Sequence, residues 1–152
     1  MKQTISLGDI HMESYKKGGR LFPDYYYDKS EDESGKHEEE IKKNPPKEII
    51  LPANQEYELM IIYPLDTPFV TQLKSGSKGL TRADIVNFVV KCYKKIYQEE
   101  DKSTNISAGK IPGMYNRNST DGKYGIWGHD LSDLILCTLF VNGNKLTVGV
   151  DS

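Results

Sequence analysis

The chain has 152 residues, 37% apolar and 28% charged, with a mean hydropathy of −0.59. That is one domain's worth of sequence, expected as a single domain over 1–152, and wet enough that part of it should lie outside the core. Twenty basic against twenty-two acidic residues give a net charge of −2, without the positive excess of a typical nucleic-acid binder. No apolar run reaches the roughly 20 residues of a membrane span, and the opening MKQTISLGDI lacks the apolar stretch of a secretory signal. A non-secreted protein with no membrane partner is expected.

In chain order, Ile5, Leu7 and Ile10 suggest a short strand within 1–12. Three consecutive tyrosines, Tyr25, Tyr26 and Tyr27, favour extended backbone. Their side chains alternate between faces, so at least one should meet solvent or a partner. From Asp28 the sequence turns dense in charge, and 28–47 is expected to be a mobile acidic loop, with a short solvated helix over 37–43 as an alternative. Order returns at Ile49–Leu51, then at Tyr57–Ile62, where apolar residues continue until Pro64 stops the strand. A third short strand is read over Phe69–Gln72, and 74-KSGSKG-79 is a loop.

The clearest helix starts at Thr81-Arg-Ala-Asp84, a pattern in which the Thr81 hydroxyl accepts from the Asp84 amide. Ile85, Phe88, Val89, Cys92, Tyr93 and Ile96 fall at helical spacing, with Lys91, Lys94 and Lys95 facing outward. Gln98 to Asp101 mark its fraying end. A long polar connection, 102–128, follows. Leu134–Val141 reads as a buried strand, Asn142-Gly143-Asn144 as a turn, and 145-KLTVGV-150 as the return strand, expected at a sheet edge. Cys92 and Cys137 are expected as buried free thiols. The fold class is α+β: a largely antiparallel sheet against one long helix, with a C-terminal β-hairpin.

Chemistry concentrates in 123-KYGIWGHDLSDL-134. His129, Asp130 and Asp133 are candidate catalytic residues, since one imidazole and two carboxylates could ligate a divalent metal and support hydrolysis. No metal or cofactor is expected on the stronger reading, in which these side chains satisfy the backbone of a packed loop. There Tyr124, Ile126 and Trp127 plug the loop into the core, and Gly125 and Gly128 allow close backbone approach. No serine near His129 shows a nucleophile-elbow pattern. Lys110, Arg117 and Lys123 with Tyr115, Tyr124 and Trp127 could stack bases and touch phosphates along 110–127, although the net charge opposes nucleic acid. Trp127, Tyr124 and Arg117 are the candidate binding residues. At 74-KSGSKGLT-81, lysines beside a helix start could hold an anion; an ordinary loop is the plainer reading.

The run 115-YNRNSTDGKYGIWGHDLSDLIL-136, with the upstream helix over 81–101 that ends in the 96-IYQEE-100 stretch, resembles a family of proteins from nucleocytoplasmic large DNA viruses, the Marseillevirus-like and related giant viruses. Asn116, Arg117, Thr120 to Asp130, Asp133 and Leu134 match the family's pattern, which covers roughly the second half of the chain. The pattern carries no catalytic assignment to transfer. The resemblance implies a viral protein, packaged in the virion and acting in the host cytoplasm or nucleus. The expected function is accordingly non-enzymatic: protein–protein contact, as a homodimer or with a viral or host protein. The alternatives are a metal-assisted hydrolase built on 127-WGHD-130 and a nucleic-acid-binding module built on 110–127.

Overall fold

The computed structural model describes residues 2–18, 42–106, 108–109 and 117–152. Tyr25, Tyr26 and Tyr27, the acidic residues 28–41, Lys110 and Tyr115 lie outside those residues. Among the described residues there are seven strands: β1 Lys2–His11, β2 Ile49–Leu51, β3 Glu56–Ile61, β4 Phe69–Lys74, β5 Leu80–Thr81, β6 Ile135–Asn142 and β7 Lys145–Asp151. One long helix, α1, runs from Arg82 to Ser103. The fold is α+β, as the sequence pattern indicates.

Five strands form one sheet in the order β1-β6-β7-β3-β4, and β2 pairs with β5 in a second, two-stranded sheet. All pairs are antiparallel except β3 with β7, which run parallel. This overturns the expected edge position of 145–150: β7 is interior, held by β6 on one side and β3 on the other, and among the described residues the edges are β1 and β4. A strand following a tight hairpin always has one neighbour, but only tertiary assembly decides whether it gains a second.

β1 is longer than expected. Its inward residues shift parity between Leu7 and Ile10, and a register irregularity between Ser6 and Ile10, with Gly8 at φ +94°, absorbs two extra residues of β1 relative to β6. Ile5, Leu7 and Ile10 thereby all reach the core. Among the described residues β6 is covered on one face: Leu136 and Leu139 are buried, whereas Phe140 is exposed. Cys137 is half-buried rather than buried. Burial, with Asp151 and Asp9 adding to it, pushes its thiol up to about 12. Cys92 is buried as expected, and burial pushes its thiol up to about 11. Both are therefore thiols, not thiolates, at neutral pH.

Helix α1 begins with the expected reciprocal cap. Asp84 N donates to Thr81 Oγ1 at 3.1 Å and Thr81 N to Asp84 Oδ2 at 3.0 Å. Ile85, Val89, Cys92, Tyr93 and Ile96 are buried, while Phe88 is half-buried. The end of the acidic run is pinned here too: Arg82 donates to Pro45 O, Glu48 Oε1 and Ser6 O. The expected fraying over 98–101 does not occur. The helix continues to Ser103, and Glu100 is fully buried. Among the described residues no helix is long and apolar enough to cross a membrane.

Candidate functional site

Glu100 organises the region that carries the sequence motif. It lies seven residues after Tyr93 and three after Tyr97, on the buried stripe of α1. Its carboxylate is 0% exposed and faces the loop that returns after the helix. Oε2 accepts from Thr120 Oγ1 at 2.6 Å, Gly122 N at 2.9 Å and Ile126 N at 3.3 Å. Oε1 accepts from Tyr124 N at 2.9 Å and Gly125 N at 3.2 Å. Burial works against ionisation, but the bonds from Thr120, Tyr124, Gly122 and Gly125 outweigh it and hold the group below the usual carboxylate range.

Thr120 to Ile126 thus wraps one buried anion with main-chain donors. Glycine is required at two points of the wrap. A Cβ on Gly122 would stand 2.7 Å from Glu100 Oε1, and one on Gly125, where φ is +68°, would stand 2.7 Å from Asp66 Oδ2. The loop also pairs with itself, Thr120 N to Ile126 O at 2.9 Å and Arg117 N to Gly128 O at 3.1 Å. It is bridged to the body at Leu65 and Ile126.

Two of the predicted binding residues belong to this structure. Arg117 is 4% exposed; its guanidinium donates to Asp101 Oδ1 at 3.2 Å, stands 3.7 Å from Asp130 Oδ1 and lies over the Tyr97 ring. Tyr124 is buried and its hydroxyl donates to Glu99 Oε2, which Lys123 Nζ also meets at 3.1 Å. The Tyr124 and Lys123 bonds hold Glu99 below the usual carboxylate range. Of the 110–127 residues proposed to grip nucleic acid, those described, Arg117, Lys123, Tyr124 and Trp127, are each engaged with an acid of this chain. Trp127 does not enter the core as expected. It is 42% exposed, donates Nε1–H to Asp66 Oδ1 and meets the Tyr63 ring edge-on at 5.8 Å.

The catalytic candidates are adjacent but do not converge. Asp130 Oδ1 accepts from Leu131 N at 3.0 Å and Asp133 Oδ2 from Asp130 N at 3.1 Å, a reciprocal cap on the single 3-10 turn Leu131–Asp133. His129 contributes its carbonyl, which accepts from the Tyr97 hydroxyl at 2.8 Å. Its Nδ1 stands 4.0 Å from Asp133 Oδ2, beyond hydrogen-bonding distance. Among the described residues no three His, Cys, Asp or Glu side chains are grouped so as to share a metal ion.

No protein-family model, curated protein or solved structure matches this chain. The motif must be understood from its own geometry, and there the Thr120 hydroxyl and four main-chain amides of the loop close around Glu100. Sequence reasoning missed Glu100 because an acid near a helix end reads as solvated. The available signal was its place on the apolar stripe.

Proposed function

We propose that this protein acts through protein–protein contacts, not catalysis, and works as a homodimer. What carries the reading is the face of the main sheet that the described residues leave uncovered. Helix α1 packs on the side of Ile5, Leu59 and Leu139. On the opposite side, strand pairing aligns Thr4, Phe140 and Thr147 across β1, β6 and β7 and Met60 with Val70 across β3 and β4, the two halves of the row meeting just past the Leu59–Leu146 pair. Phe140 is 42% and Val70 48% exposed, and Ile62, two residues beyond Met60, is 50% exposed. Exposed apolar groups clustered on one face mark contact surfaces. The row ends at β4, an edge strand with one side unpaired among the described residues. A second copy pairing there by two-fold symmetry would join the two rows. The viral setting, in the virion and in the host cytoplasm or nucleus, is supported by the motif resemblance alone.

Sedimentation velocity over a concentration series tests the dimer. The expected result is a concentration-dependent shift to the dimer mass, abolished by Val70→Glu without loss of the folded circular-dichroism spectrum. A monomer at every concentration would refute it.

A further inference from the structure

A second surface lies on the opposite side of the molecule, against the outward stripe of α1. The segment Tyr15–Lys17 stands off the helix and leaves a groove of about 730 Å³, reaching along the helix from Asp84 to Gln98. The standing wall is fastened, since Lys94 Nζ donates to Tyr15 O at 2.8 Å and Tyr15 Oη to Asn87 Oδ1 at 2.6 Å. Tyr15, Phe88 and Val90 supply apolar lining; Lys16, Lys17, Lys91, Lys94 and Lys95 supply charge. Asp84 is the single acid in the lining, and its carboxylate is engaged by Thr81 N. Lys16, Lys17 and Lys91 are exposed and have no ion-pair partner among the described residues. Five lysines line this one concavity, Lys94 held by Tyr15 O and Lys95 by Glu99 Oε1 at 3.9 Å, in a chain whose net charge is −2.

We propose that this groove docks an acidic segment of a partner protein. An apolar side chain of that segment seats beside Phe88, and its carboxylates meet Lys16, Lys17 and Lys91. Charge complementarity selects the chemistry, and the groove's shape selects the class. A bilayer surface is too flat to enter a concavity, and a nucleic-acid backbone offers phosphates without an aliphatic or aromatic side chain for Phe88 and Val90. The helix rises about 21 Å along its axis from Asp84 to Gln98, a length spanned by about six extended residues. The surface is separate from the sheet face proposed for dimerisation, so either can fail without the other.

The test uses the full chain and a fluorescein-labelled ten-residue peptide with glutamates flanking a central phenylalanine, read by anisotropy. Saturable binding that weakens with salt, and that falls about tenfold or more in Lys17→Glu/Lys91→Glu, is the expected result. Both positions are exposed, and an unchanged thermal melt of the variant confirms that its fold is intact. Equal binding by the charge-reversed variant overturns the proposal. So does equal binding of a control peptide carrying lysine for glutamate, or preferential capture of single-stranded DNA or phosphatidylserine vesicles. A full chain that binds the probe only after Glu38→Gln, Glu39→Gln and Glu40→Gln would assign the groove to the chain's own acidic run and overturn the partner.

Discussion

Removing the Glu100 carboxylate would leave five donors facing a space closed to water. Buried donors without acceptors are costly, so Glu100→Ala is expected to lose about 3–5 kcal/mol in urea unfolding. Glu100→Gln should lose less, because one amide oxygen still accepts. The motif's own histidine and aspartates predict an asymmetric pair. Asp130 caps a turn and stands beside a buried arginine, so Asp130→Ala should cost about 1–2 kcal/mol. His129 engages Tyr97 through a main-chain carbonyl that survives substitution. His129→Ala should therefore cost under about 1 kcal/mol. Thermal melts of the two variants beside the parent decide this, and equal losses would mean that the imidazole carries structural duty.

At the scale of elements, α1 has its start fixed locally and its end fixed from a distance. Thr81 and Asp84 close the first turn reciprocally, and Thr81→Ala should cost about 1 kcal/mol, read as a lower urea midpoint with an unchanged slope. That much was legible in four letters of sequence. The last turns were not, because a run of Gln98, Glu99, Glu100 and Asp101 has the composition of a solvated end. What keeps it helical is the loop 120–126, which arrives some twenty residues later to supply donors for Glu100. Thr104 N then closes the end on Glu100 O at 2.9 Å. The β6–β7 hairpin was equally plain in sequence, with Gly143 taking φ +62° in a two-residue turn. That β7 also accepts β3 as a parallel neighbour depends on a contact far along the chain, between Leu59 and Leu146.

For the whole molecule, the buried anion predicts how stability depends on pH. Glu100 and Glu99 are held below the usual carboxylate range in the folded state, whereas an unfolded glutamate titrates near about 4.3. Above that value both states are ionised and the stabilisation is fully present. As pH falls below it the unfolded chain takes up protons first, so stability is lost progressively down to the folded value. Urea midpoints measured from neutral pH into this acid window should fall steeply for the parent. The Glu100→Gln chain should show a shallower fall, having no carboxylate there to protonate. Parallel curves would show that other acids dominate. The cysteines predict no counterpart at neutral pH, since both thiols titrate well above it.

By itself the sequence determined what depends on neighbours within a turn or two: the helix start, the alternating strands, the hairpin and the α+β class. It also marked Thr120 to Asp130 as unusual and leaned toward a structural role for the loop. Only the tertiary structure decided which strands became edges, that Trp127 remained exposed while Tyr124 and Arg117 were buried, and that one acid of a charged helix end became the anion around which the loop closes. Each of those outcomes depends on groups far apart in the chain meeting where water is excluded. There an unpaired donor or charge is expensive, and local composition carries no record of the partner that will satisfy it.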